Sequence, residues 1–365
     1  MKIFIGGDIC GARITNPLFK KHDIETLFND LPSVMQGNDV VFINLETAIS
    51  ESETPIKKFG PNLQSCPETA QVLKDVGVTL CGLSNNHFFD YGIDGVNQSF
   101  ASLNAAGLDT TGFGMDYEDS RKNYVVEKDG QKVCIIAVCE HEYTYALEDR
   151  MGSRPYDPYD TLEDIRKAKA ENDVVIVIYH GGKEECPYPS PRLRKAFVKM
   201  AEAGADLVTG QHSHCIGCYE KYGNSHLMYG QGNFHFICKD DECHNDGWNT
   251  ALQMIYDTKT GELTFIPTEQ SRDLMGVRLA KGERKEQIMA RFEKLNQTMA
   301  DGTWRQGWHD YCETAREEYY GYIAPCCAPG ETEFQHDLLG QLFNCEAHAD
   351  MYLELFPSYN LTNEK

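Results

Sequence analysis

Two histidines two positions apart, His212 and His214, stand just past the run Gly204 to Thr209. That run reads as a short buried strand entered from a helix, and the carboxyl end of such a strand is where α/β sheets hold ligands. Imidazoles at i and i+2 can leave an irregular loop and approach one metal ion, or two adjacent ones. Taken alone, such a pair is better explained by two hydrogen-bonded loop histidines.

The same pattern recurs, however, along the first two-thirds of the chain. Lys2 to Gly7 runs into Asp8, Val40 to Ile43 into Asn44 and Glu46, Val78 to Leu83 into Asn85, Asn86 and His87, and Val174 to Tyr179 into His180. Parallel strands present their carboxyl ends on one side, so Asp8, Glu46, Asn86, His180, His212 and His214 can converge despite their separation. Carboxylate, amide and imidazole donors together suit Mn, Fe or Zn better than Mg or Ca. Two such divalent cations, about 3.5 to 4 Å apart, acidify a bridging water and clamp the oxygens of an in-line displacement. Hydrolysis of a phosphoryl or carbonyl group is the reaction they support. His87, next to Asn86, is placed to protonate a leaving group; the alternative is a histidine bonded within its own loop.

The motifs Gly7-Asp8, Asn44-Leu45-Glu46-Thr47, Ser84-Asn85-Asn86-His87 with Asp90-Tyr91-Gly92, His180-Gly181-Gly182-Lys183-Glu184, Gly204 to His214, and Tyr229 to Phe234 follow in order. Over roughly residues 1 to 270 the chain thereby resembles the CapA-type proteins of poly-γ-glutamate capsule biosynthesis, in the calcineurin-like metallophosphoesterase superfamily. The resemblance implies a four-layer α/β/β/α sandwich with two divalent transition metals at the strand ends. It assigns Asp8 and His214 to one metal, Asn86, His180 and His212 to the other, and Glu46 as the bridge, with His87 as general acid. Two departures stand out. Cys10 occupies a position where the superfamily carries histidine, so a thiolate ligand or a weakly held first metal is expected, and Glu46 replaces the usual aspartate. Phosphoester hydrolysis is the expected reaction. Cleavage of a γ-glutamyl or related amide, and a non-catalytic role in a polymer-synthesis assembly, are the alternatives the family implies.

Substrate contacts or support are sought among Arg13, Asn85, Glu140, His141, Glu142, Lys183 and Glu184, with Lys57 and Lys58 as further basic loop residues; each is equally compatible with a solvated loop. The chain has 34 basic against 56 acidic residues, a formal charge of −22. Nucleic acid and anionic membrane are therefore disfavoured partners, and a small anionic or γ-glutamyl substrate is favoured over a polyanion. No run approaches the roughly 20 apolar residues of a membrane helix. With Asp8 so near the start, a cleaved leader is not expected, so the 14 cysteines are read as reduced thiols of a cytoplasmic protein. Cys215 and Cys218, with Cys238, Cys243 and His244, would make a structural zinc site only at irregular spacing, and buried thiols are the better reading.

The sandwich is expected over residues 1–275, closed by a hairpin turning at Thr258 to Gly261. A helical appendage over 276–365 should follow. Its stripes are Ile288, Phe292, Leu295 and Met299, then Trp304 to Tyr319, then Leu338 to Phe356, read as three helices. A lid, a homo-oligomer interface or simple packing are its open roles.

Overall fold

The computed structural model describes residues 1–237, 245–326 and 333–357, with the side chains of Arg13, 324–326 and 333–336 outside that description. Most of its strands fall into an eight-stranded and a six-stranded sheet, beside two short two-stranded pairs. Strands β1 (Lys2–Cys10), β2 (Val40–Leu45), β3 (Leu80–Gly82) and β4 (Asp109–Thr111) begin the larger sheet. The chain then builds the smaller sheet from β5 (Tyr124–Lys128), β6 (Gln131–Cys139), β7 (Val174–His180), β8 (Leu207–Gln211), β9 (Tyr219–Tyr222) and β10 (Ser225–Met228). It returns to the larger one with β11 (Asn233–Phe236), β12 (Thr250–Asp257), β13 (Glu262–Ser271) and β14 (Gly276–Leu279). The expected hairpin is β12 and β13, paired from Thr250 with Glu269 to Asp257 with Glu262. The sheet runs on through β14, just beyond residue 275.

Alternation along the strands defines the layers. Ile3, Ile5, Val40 and Phe42 meet Val133, Ile135, Ile176 and Ile178 between the sheets. The intervening residues Phe4, Val41 and Ile43 face outward onto α1 (Thr69–Val76) and α2 (Gly92–Ala106). On the far side, Cys134, Ile136, Val175 and Val177 pack on α3 (Asp160–Glu171) and α4 (Pro191–Ala203). Both faces of the central strands are thus covered, which is why their sequences are continuous apolar runs rather than alternating ones. The result is the expected α/β/β/α sandwich. Helix α4 shows the local logic: Pro191 presets its first turn, and Ser190 Oγ accepts the Leu193 N–H at 3.0 Å.

The C-terminal segment departs from the three expected helices. Helix α5 (Gly282–Asp301) crosses the end of the sandwich, placing Ile288 and Phe292 between the sheets and Leu295 and Met299 on the outer core. The second stripe breaks at Ala315 into α6 (Trp304–Thr314) and α7 (Arg316–Cys326), the Ala315 N–H closing a tightened last turn on Cys312 O. The third breaks at Cys345 into α8 (Glu333–Asn344) and α9 (Glu346–Leu355). A tertiary contact causes that second break: the buried Glu140 carboxylate takes the Cys345 thiol at 3.2 Å and the Ala347 N–H at 3.1 Å. Cys345 is thereby held extended, with ψ 126°, and α9 starts afresh on an acidic cap. No helix among the described residues is long and apolar enough to cross a membrane.

Candidate metal centre

Asp8 is aimed by an irregularity in β1. Pairing with β2 slips between Ile5 and Asp8, and pairing with β11 slips between Asp8 and Ile9. Gly7 occupies the slip because a Cβ there would lie 1.9 Å from Gly232 O; only glycine permits the approach. The parallel register sets Asn44 beside Asp8 on one side and Asn233 on the other. Asn44 Nδ2 donates to Asp8 Oδ1 at 2.7 Å and lies 3.0 Å from His180 Nδ1, while Asn233 Oδ1 sits 2.8 Å from His214 Nδ1. His212 and His214 both have left-handed backbone, φ 81° and 52°. Such strain in a non-glycine residue persists only where the surroundings hold it; here the His212 N–H donates to Asp8 Oδ2 at 2.8 Å.

Two ligand groups result, Asp8 with Glu46 and His180, and Glu46 with His212 and His214, each with donor atoms inside 4.8 Å. Glu46 is shared, as the resemblance implies, but His180 falls with Asp8 and His212 with His214; Asp8 Oδ2 also lies 3.8 Å from His214 Nδ1. Asn86 joins through Oδ1, 3.0 Å from His180 Nε2. Glu46 is fully buried; its Oε1 meets only histidine nitrogens, His180 Nε2 nearest at 3.4 Å, while Oε2 has no partner, and His212 Nδ1 lacks a hydrogen bond too. A buried carboxylate left so costs several kcal/mol unless a cation meets it. These residues therefore fit divalent metal, with Asp8, Glu46, Asn86, His180, His212 and His214 to hold it.

Electrostatics agree. Burial would raise Asp8, but the hydrogen bond and charge of His180, with His214, hold it at about 2. Burial opposes charge on His180, yet Glu46 and Asp8 raise it to about 10, and the same carboxylates raise His214 against burial. Burial and the neighbouring His180 push His212 well down. The cluster attracts positive charge strongly, and protons compete with metal for it.

His87 lines the same pocket as Asn86, His212 and His214. Its Nδ1 lies 2.6 Å from Asp90 Oδ2, and the buried Lys58 ammonium contacts both Asp90 Oδ1 and, at 3.1 Å, His87 Nδ1. Asp90 fixes the ring and leaves Nε2 for a ligand. Burial, then the Lys58 charge, lower the His87 pKa against the pull of Asp90.

Several sequence-based candidates are placed elsewhere. Cys10 is buried against Ala12, Leu63, Phe236 and Trp248 and belongs to neither ligand group; an apolar cluster disfavours a thiolate. Asn85 is not available to a substrate: Nδ2 donates to Asn44 Oδ1 and Leu45 O, and Oδ1 accepts from the His87 and Phe88 N–H groups. Glu140 and His141 face the appendage instead, His141 Nδ1 meeting Glu346 Oε1 at 2.7 Å. Lys58 is committed to Asp90 rather than free for an anion. Lys183 and Glu184 do line the pocket. The Arg13 side chain, with Cys238, Cys243 and His244, lies outside the described residues, and Cys215 and Cys218 are buried thiols. The ten cysteines whose side chains are described are buried and form no disulfide.

Other contributors carried little sequence signal. Asp90, three residues after His87 in one loop, could have been paired with it. Glu142, which follows the strand with Glu140 and His141, does reach the site, its Oε2 3.5 Å from His212 Nε2; Gln341 of α8, which donates to Glu142 Oε1 at 2.9 Å, had no such signal. Glu318, Tyr322 and His348 of the appendage also line the pocket. The helical tail thus roofs the metal site.

The family model for bacterial capsule synthesis protein PGA_cap matches residues 2–237. Capsule biosynthesis protein CapA of Bacillus anthracis is 28% identical over 276 residues, 72% of this chain and 65% of its own length. PGA biosynthesis protein CapA of Bacillus subtilis (strain 168) is 27% identical over 270 residues, 72% of this chain and 69% of its own. The match therefore spans about two-thirds of each relative. Of solved structures, 5'-nucleotidase from Candida albicans SC5314 is similar over 75% of this chain and 52% of that one, at 11% identity and a TM-score of 0.41. Residues 2–237 hold most of the chain and every strand that delivers a ligand, so the chain belongs to the bacterial capsule synthesis protein PGA_cap family.

Proposed function

We propose that the protein is a metal-dependent hydrolase that cleaves phosphoesters, with His87 as general acid. The observation that carries this reading is Glu46, a fully buried carboxylate whose Oε2 is unpartnered and whose Oε1 meets only histidine nitrogens, shared by two ligand groups beside His87. Divalent cations held there would polarise a phosphoryl oxygen and acidify a water. Asn44 orients Asp8 and His180 together, as outer partners of metal ligands do. His87, held at Nδ1 by Asp90, presents Nε2 to protonate the leaving oxygen. Lys58 balances the Asp90 charge, so the imidazole is not trapped in its charged form.

The names of the Bacillus relatives favour a second reading, cleavage of a γ-glutamyl amide by the same centre, or a non-catalytic part in capsule polymer synthesis. Protein reconstituted with Mn, Fe or Zn and assayed on phosphomonoesters, phosphodiesters and γ-glutamyl peptides separates these. Turnover of a phosphoester is expected, falling roughly 10²- to 10⁴-fold in His87→Ala with metal content retained. Full activity in that variant would remove His87 from the mechanism, and no turnover on any substrate would favour the non-catalytic role.

A further inference from the structure

The two ring nitrogens of His212 face different surroundings. Nδ1 is buried without a hydrogen bond and lies 4.0 Å from Glu46 Oε1, its companion in the ligand group. Nε2 lies 3.5 Å from Oε2 of Glu142, a side chain that is 11% exposed. His180 and His214 each turn both nitrogens toward Asp8 and Glu46, whereas His212 turns one away from them.

An imidazole binds metal through the nitrogen that carries no proton, so an ion on Nδ1 leaves the proton on Nε2. A carboxylate beside that second nitrogen fixes the tautomer, orients the ring and makes it a more basic ligand. At 3.5 Å, Glu142 stands in ion-pair range rather than at hydrogen-bond distance. Positive charge at Nδ1 makes the Nε2–H a stronger donor toward it.

Glu142 is itself held from the other side. Its Oε1 accepts from Gln341 Nε2 of α8 at 2.9 Å. It also ends the run Glu140-His141-Glu142, in which each residue meets the C-terminal helices. Glu140 takes the Ala347 N–H, and His141 meets Glu346 both through its ring and through its backbone N–H, the latter at 2.9 Å. The third residue of this run is the one that reaches from the roof to a metal ligand.

We propose that Glu142 is the positioning carboxylate of His212, setting which ring nitrogen ligates, and that Gln341 anchors it, so that the helical roof supports the metal centre. The proposal rests on the metal-centre part of the reading above and adds how one ligand is aimed. Gln341 lies beyond residues 2–237, so the anchor comes from the appendage and not from the part that the family model matches.

Calorimetric titration with Mn tests it on the wild type and four variants. Mn affinity is expected to fall about 100-fold in Glu142→Ala and about 10-fold in Glu142→Gln, which keeps the shape and an oxygen for the Nε2 proton. Gln341→Met removes only the anchor and should cost about 3-fold. Glu140→Ala loosens the roof without touching His212, and should hold Mn nearly as tightly as the wild type. Equal Mn affinity in the wild type and Glu142→Ala would overturn the proposal and leave the metal centre standing. So would a loss in Glu140→Ala as large as in Glu142→Ala, which would assign the effect to the roof as a whole, or the absence of any rescue in Glu142→Gln. Absence of Mn binding by the wild type would remove the metal-centre reading, and the proposal with it.

Discussion

Glu46 and Glu140 each follow a parallel strand of the sandwich, β2 and β6, and both are almost wholly buried. Their surroundings are opposite. Glu46 has only histidine nitrogens near it, the nearest 3.4 Å from Oε1, whereas Glu140 takes the Gly182 and Ala347 N–H groups and the Cys345 thiol. One carboxylate is kept open for a cation, and the other is consumed in fastening the helical roof. Strand-end position alone therefore does not distinguish a ligand from a clamp; the unsatisfied valence does.

The sharpest way to break this contrast is Glu46→Gln. Metal per chain, measured by elemental analysis, is expected to fall to one ion or none, and hydrolysis to drop by about 10³-fold or more. Full metal content in that variant would show that Glu46 is not the shared ligand. Glu140→Ala should do the reverse, retaining metal while the roof loosens. Four donors, the Tyr179 hydroxyl at 3.5 Å included, lose their acceptor, which costs roughly 2 to 4 kcal/mol, and hydrogen exchange should rise across α8 and α9. Unchanged protection there would refute the clamp.

A smaller effect sharpens the picture of the roof through pH. Asp350 of α9 accepts from Ser190 Oγ and pairs with Arg192 Nε at 2.7 Å, yet burial raises its carboxyl to about 6. The folded state thus holds a proton that the unfolded chain releases near pH 4. The contribution is complete below that value and is lost as pH rises through about 6, at most roughly 2 to 3 kcal/mol. His141 is raised by its hydrogen bond to Glu346 against the effect of burial, and acts in the same direction. Thermal stability of the docked helices should therefore decline from pH 4 to 7, and Asp350→Asn should flatten that slope. An unaltered slope in the variant would assign it to other groups.

The legible part of the molecule was the part written in strands. Asp8, Glu46, Asn86, His180, His212 and His214 could be grouped because each directly follows an apolar run, and parallel strands bring those ends to one edge. Which histidine lies in one donor group with Asp8 was not legible, because the left-handed backbone at His212 and His214 and the slips at Gly7 re-aim the side chains. Cys10 looked like a ligand by position, but the end of β1 carries it into an apolar cluster. The roof was misread for a different reason. Cys345 lies on a continuous helical stripe, and nothing local to it announces that Glu140, far away in sequence, will capture its thiol and the next free N–H.

The sequence by itself determined the edge at which ligands gather and the donors found there, because each donor directly follows an apolar run, and the layered sandwich followed from the family resemblance of its motifs. Only the tertiary structure decided which carboxylate stays unsatisfied, how the ligands divide between two groups, and that the C-terminal helices close over them. Those outcomes depend on contacts between segments distant in the chain, where burial and hydrogen-bond satisfaction, rather than local propensity, set the energy.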